Sequence, residues 1–373
     1  MYDIKEIKMK KTHYISVLIY YLLFSYSWLC AQNSQGNIVF DGPHIFYNND
    51  SLIVKYYNSG EINTYKVEKN IKTKFQGFSK DSTITYTIPN QFLIQKDKYP
   101  NTEKLFVVSD IHGQYNIFKK LLQNSGIIDS NNNWIWGNGH LVVLGDVFDR
   151  GDMVHESLWL LYNLEQQAAD VGGVIHFLLG NHEVMVIQND LRYVHNNYIS
   201  IADSFSITVP NLYGINTFWG RWLRSKNFLT QIGSILFVHG GIHPELASLY
   251  NSITEINKMM VENIDTPSET IKENPVLSLL FRGSGPIWYR GFFTPDSMPD
   301  VTDKELTDIL KHFSVEKIIV GHTTADHLYT SHNNRILCVD GGIKEGIRGE
   351  GLLIQNGTYY IVDTNGRLDL IFK

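Results

Sequence analysis

Apolar positions along this chain follow two periods. Residues 104–109, 141–144, 174–179, 234–238 and 315–320 are short, mostly apolar runs rich in Val and Ile. Such runs predict strands buried on both faces, as in parallel sheets. Helical spacing lies between them. Ile117, Phe118, Leu121 and Leu122 share one face, with Gly126 as the stop. A second helix is predicted over 154–169, ending near Gly172-Gly173. Thr302 and Glu305 form a capping box ahead of a helix carrying Leu306, Ile309, Leu310 and Phe313. Strands alternating with helices predict an α/β fold.

Period two dominates at both ends. Residues 51–57 and 62–67 flank Asn58-Ser59-Gly60, a hairpin turn signal, and 83–88 alternate. Residues 37–98 therefore read as a small β-rich segment ahead of a main domain over 104–373. Residues 336–372 read as a meander with turns at Asn356-Gly357 and Asn365-Gly366. Trp134 and Trp136 lead to Asn138-Gly139, which predicts a hairpin returning along 141–144. Two stretches, between His182 and His239 and from Glu245 to about Pro299, are irregular and aromatic. They are expected to form a cap inserted around 190–300.

The first residues are of another kind. Lys5, Lys8, Lys10 and Lys11 precede an apolar run over 15–29, followed by Cys30-Ala31-Gln32. This reads as a signal peptide over 1–31, cleaved after Ala31, with the mature protein secreted or periplasmic. The run falls short of the roughly 20 residues that span a bilayer, so no stable membrane anchor is expected after cleavage. An uncleaved anchor and lipidation at Cys30 are the rival readings. Cys338 sits in the apolar run 336–339 and reads as an inert core thiol. The 373 residues carry a net charge of −6 without a basic stripe, which excludes a nucleic-acid footprint. Nothing in the pattern sets the oligomeric state.

The chemistry collects at the ends of the apolar runs. Asp110 and His112, then Asp146, Asn181, His239 and His322, each follow one of them. Taken singly, each is an ordinary turn, cap or core residue. Five runs ending in imidazoles, carboxylates and one amide is another matter, because that is the donor set of borderline divalent metals. Six donors exceed what one open catalytic site needs. They fit two metals bridged by a carboxylate, the arrangement for in-line displacement at phosphorus.

Asp110-x-His112-Gly113, Gly145-Asp146-x-x-Asp149-Arg150-Gly151, Gly180-Asn181-His182-Glu183, His239-Gly240-Gly241 and Gly321-His322 resemble the motifs of the calcineurin-like metallophosphoesterases. The Asp149-Arg150-Gly151 form looks like the phosphoprotein phosphatase branch. Residues 191–194 and 285–291 look most like the Shewanella-like protein phosphatases. The resemblance covers about residues 106–351 and leaves out 37–98. It implies a four-layer α-β-β-α sandwich of two mixed sheets. It also implies one metal on Asp110, His112 and Asp146, and another on Asp146, Asn181, His239 and His322, with Asp146 as the bridge. The ions would be manganese, iron or zinc.

The mechanism expected from this resemblance is in-line attack by a bridging hydroxide. His182, oriented by Asp149, protonates the leaving oxygen, and Arg150 clamps the phosphoryl group. Arg290 is the expected second clamp, with Arg282 as competitor and Arg192 and Arg221 behind. Trp219 and Trp222 read as core. Asp340 and the loop 341–351 either border the site or form a plain strand-end turn. The expected substrate is a phosphoprotein or a small phosphomonoester. The alternatives are a dinucleoside polyphosphate or nucleotide hydrolase on the same site, and a non-catalytic phosphate-binding protein, although no donor of the motif set is missing.

Overall fold

Residues 40–68 form a three-stranded sheet of β1 (Phe40–Asn48), β2 (Ser51–Asn58) and β3 (Glu61–Glu68). The β2–β3 hairpin turns at Ser59 and Gly60, both at positive φ, the backbone that a two-residue turn between twisted strands demands. β4 (Thr73–Gln76) and β5 (Thr83–Tyr86) make a separate antiparallel pair. The computed structural model describes residues 40–68, 73–76, 83–86, 88–89, 91–293 and 301–373. The expected signal peptide and Cys30 lie outside the described residues. Among the described residues, no helix is long and apolar enough to cross a membrane.

Two six-stranded mixed sheets carry the rest. In the first, β7 (Lys104–Val108), β8 (His140–Val143) and β9 (Val174–Phe177) run parallel. β15 (Glu350–Gln355), β16 (Thr358–Asp363) and β17 (Leu368–Phe372) extend it antiparallel beyond β7. In the second, β11 (Ile235–Val238), β12 (Lys317–Val320) and β14 (Ile336–Cys338) are parallel. β13 (Tyr329–Ser331) closes one edge. β10 (Leu229–Ile232) and the short β6 (Lys98–Tyr99) form the other.

The sheets pack through Val107, Val142 and Leu352 on one side and Ile232, Phe237, Ile319 and Leu337 on the other. Each such side chain contributes roughly 1.5–3 kcal/mol by leaving water. Phe106, Val108 and Val143 are also fully buried, which is why these strands read as unbroken apolar runs.

The helices lie in the connections. They are α1 (Tyr115–Asn124), α2 (Val154–Asp170), α3 (Asn181–Ile187), α4 (Asn196–Ser204), α5 (Val209–Leu212), α6 (Phe218–Leu223), α7 (Pro244–Leu249), α8 (Ile253–Asn263), α9 (Ser268–Glu273), α10 (Pro275–Phe281) and α11 (Asp303–Phe313). α1 and α11 begin and end within two residues of their expected positions, and Thr302 caps α11 as predicted. The irregular stretches fold as α4–α6 and α7–α10, with β10 and β11 between them. Trp219 and Trp222 are core residues.

The hairpin expected at Asn138-Gly139 does not form. β8 pairs in parallel on both sides, and Trp134 belongs to a compact loop, its Nε1 donating to the Gly137 carbonyl at 2.8 Å. The Asn-Gly pair supplies the turn. The strand it feeds is apolar on both faces, so it is better covered in the middle of a sheet than at the edge of a hairpin.

Candidate metal centre

Parallel strands point their C-terminal ends to one edge, and open sheets bind ligands there. β7 delivers Asp110 and His112, β8 delivers Asp146 and Asp149, and β9 leads to Asn181 and His182 at the start of α3. β11 delivers His239 and β12 His322. All eight side chains are buried. Asp110, His112, Asp146, Asp149, Arg150 and His322 have φ between 48° and 69°, a left-handed backbone that disfavours residues with a Cβ. Strain of this kind persists where the surroundings over-determine it, as at functional sites.

Close backbone approach holds the turns together. A Cβ on Gly180 would lie 2.3 Å from Asp146 Oδ1, and one on Gly145 would lie 2.3 Å from the Gly180 nitrogen. Glu183 locks the same junction. Its carboxylate accepts from the backbone nitrogens of Asp146, Val147, Phe148 and Gly180 at 2.7–3.2 Å.

Asp146 is the hub. Its Oδ2 lies 3.6 Å from His112 Nε2, 3.2 Å from His239 Nε2 and 3.8 Å from His182 Nε2. Its Oδ1 accepts from the His182 backbone at 3.0 Å. Burial opposes its charge, but the His239 and His182 rings outweigh that and hold the carboxyl well below its usual range. His239 shows the reciprocal effect. Burial lowers its pKa, the Asp146 carboxylate raises it more, and the ring ends at about 9. Burial dominates at His112 and drops it to about 3.

These groups fit a pair of cations. His112 Nδ1 lies 2.7 Å from the Phe148 carbonyl and His239 Nδ1 lies 2.6 Å from the Leu144 carbonyl. Each ring is thereby oriented with Nε2 toward Asp146, the outer contact that fixes a ligating histidine. His322 Nε2 is buried with no hydrogen-bond partner. Asn181 Oδ1 lies 3.0 Å from His239 Nε2. Two clusters, His112–Asp146–His182 and Asp146–His239–His322, each bring ligand atoms within 4.8 Å of one another. Asp110 Oδ1 lies 3.9 Å from His112 Nε2, while its Oδ2 accepts from Ser109 and from the His322 backbone. His182 is thus a member of the first cluster and Asp110 lies beside it. His182 differs in having Nδ1 tied to Asp149 Oδ2 at 2.6 Å.

The cleft above these clusters has a volume of about 190 Å³. Arg150 and Arg290 both line it, as do Tyr193 and Trp288. Arg150 is exposed, stands over the Tyr193 ring and donates its backbone N–H to the Tyr193 carbonyl. Arg290 Nη1 donates to the His322 carbonyl at 2.6 Å. Arg192 is on the rim, paired with Asp190. Arg282 is occupied at Ser268, and Arg221 lies over Tyr47.

A family model for the calcineurin-like phosphoesterases matches residues 103–326. The chain belongs to the calcineurin-like phosphoesterases. Its backbone superposes with a TM-score of 0.82 on a cold-active protein-tyrosine phosphatase from a psychrophilic Shewanella species, at 36% identity over 89% of this chain and 99% of that one. Shewanella-like protein phosphatase 1 of Plasmodium berghei is 28% identical over 66% of this chain and 70% of its own length. Shewanella-like protein phosphatase 2 of Arabidopsis thaliana is 32% identical over 31% of this chain and 32% of its own. The expected fold and family therefore stand, and so does the expected activity class. The protein is a hydrolase, consistent with metal-dependent cleavage of phosphoesters.

The sequence assigned no role to Glu183 or Lys344. Glu183 had a signal, since it stands three residues after a helix-capping Gly180. Lys344 lines the cleft and bonds Thr324 Oγ1 and, at 3.0 Å, Asp340 Oδ2. Asp340 follows β14 as Asp110 follows β7, so it is one more polar residue at this edge. Burial and the Asp110 charge raise its pKa to about 6. Cys338 is a buried core thiol as expected, its pKa pushed up to about 12 by burial.

Proposed function

We propose that the chain is a phosphomonoesterase acting on phosphorylated proteins, with phosphotyrosine as the favoured residue. The observation that carries the reading is the geometry around one atom. Asp146 Oδ2 has three imidazole Nε2 atoms within 3.8 Å, and Asp146 lines the same cleft as two arginines.

Asp110, His112 and Asp146 would hold one ion, and Asp146, Asn181, His239 and His322 the other. The donors suit manganese, iron or zinc. Such ions would lower the pKa of a nucleophilic water and neutralise phosphoryl charge. Arg150 binds the phosphoryl oxygens through its planar fork, and Arg290, fixed on the His322 carbonyl, is the second clamp. His182 carries the proton for the departing oxygen. Burial lowers its pKa, but the Asp146 charge and the Asp149 hydrogen bond raise it further than burial lowers it. The shift favours the proton-carrying form, with Nδ1 engaged by Asp149 and Nε2 facing Asp146 Oδ2 in the cleft. Tyr193 and Trp288 supply aromatic walls for a phenyl ester.

The test is a panel of phosphotyrosine and phosphoserine peptides, nucleotides and dinucleoside polyphosphates on metal-reconstituted protein. Phosphotyrosine should lead in kcat/KM by tenfold or more. A dinucleoside polyphosphate as the best substrate would overturn the reading.

A further inference from the structure

A third donor cluster lies where β1 meets α2. Asp41 and His44 stand on β1, and His155 is the second residue of α2. All three are buried. One ligand atom from each lies within 4.8 Å of the others. His155 Nδ1 is 2.7 Å from Asp41 Oδ2, and His155 Nε2 is 2.9 Å from the Tyr213 hydroxyl.

An ordinary buried ion pair accounts for Asp41 and His155. It does not account for His44. His44 Nε2 points at Asp41 Oδ1 from 3.3 Å, is buried, and makes no hydrogen bond. Protonated, this nitrogen is a buried donor without an aligned acceptor. Unprotonated, its lone pair faces a carboxylate. Both states are unfavourable in a dry interior. A cation among the three residues removes the conflict, because all three then direct lone pairs at it. The Tyr213 hydroxyl would accept the remaining proton of His155, as outer partners of ligating histidines do.

We propose that Asp41, His44 and His155 bind a zinc ion that fastens β1 to α2, with water as the fourth ligand. Two imidazoles and a carboxylate are a zinc donor set, harder donors being preferred by calcium and magnesium. Tetrahedral bonds of about 2.0–2.1 Å set neighbouring ligand atoms about 3.3 Å apart, which is the His44–Asp41 separation. The shorter Asp41–His155 contact is the hydrogen bond that the ion replaces. The site sits behind the catalytic loop. Tyr213 packs on Phe148 with centroids 4.8 Å apart, and the Phe148 carbonyl orients His112.

The experiment separates this site from the cleft. The full chain with Asp110→Asn, Asp146→Asn and His239→Asn is loaded with zinc, desalted and measured by elemental analysis, with circular dichroism as the check on folding. One zinc per chain should remain, and adding His44→Ala should remove it. Cobalt in the same protein should give a tetrahedral absorption band that His44→Ala abolishes. A disarmed chain that retains no zinc, or zinc that survives His44→Ala, overturns the proposal. Should the disarmed chain fail to fold, His44→Gln in the otherwise unaltered protein is compared with wild type. A loss of one zinc equivalent sustains the site, and equal zinc content overturns it.

Discussion

His182 Nδ1 stands 2.6 Å from Asp149 Oδ2, so the face of the imidazole that meets the cleft is always Nε2. This pairing separates proton delivery from phosphate binding. An alkoxide leaving group needs the proton, whereas a nitrophenolate hardly does. His182→Ala should lose roughly 10²–10⁴-fold in kcat/KM on a phosphoserine peptide and far less on nitrophenyl phosphate. Arg150→Ala should slow both substrates by similar factors, since both carry the same phosphoryl group. Equal losses for His182→Ala on the two substrates would assign His182 to the metal site.

Asp146 belongs to both donor clusters of the cleft. Asp146→Asn should therefore reduce metal content by two equivalents relative to wild type and abolish turnover. Elemental analysis after gel filtration is the measurement. A loss of one equivalent would show that the second cluster binds without the bridge.

Glu183 touches no substrate in this arrangement, yet it accepts four backbone hydrogen bonds across the β8 and β9 ends. Glu183→Gln turns one acceptor into a donor facing N–H groups. Hydrogen bonds to charged groups contribute roughly 1.5–3 kcal/mol each, so urea denaturation should show a loss of about 3 kcal/mol. Metal affinity should fall with it. Unchanged stability would mean that the loop holds its shape without this carboxylate.

Export rests on the N-terminal pattern of basic residues, apolar run and Ala31-Gln32. We propose that the mature chain begins at Gln32 outside the cytoplasm. Mass spectrometry of fractionated cells checks this, and intact residues 1–11 on cytoplasmic protein would count against it.

The strands and donors were legible in the sequence for a physical reason. A central parallel strand is apolar on both faces, so its end is marked by the first polar residue, and Asp110, Asp146, His239 and His322 stand at or just beyond such breaks. Partners from elsewhere in the chain leave no such mark. Lys344 reaches the cleft only because a short turn after β14 folds back, and Tyr193 only because the Arg150 backbone bonds its carbonyl. The cluster on Asp41 was invisible for the same reason, since His155 is 114 residues away along the chain. The false hairpin at Asn138-Gly139 shows the converse: a local turn signal says where a chain bends and is silent about which strand it then joins.

Six residues of the centre hold a left-handed backbone although none is glycine. Replacing any of them with glycine would relieve roughly 1 kcal/mol of backbone strain, but at Asp110, Asp146 and Asp149 it would also remove the buried hydrogen bonds that tie the turns together. The side chains that bring the strain are thus the ones that restrain it. A chain stripped of these donors would not simply become sturdier, because the strain and the bonds that restrain it would leave together.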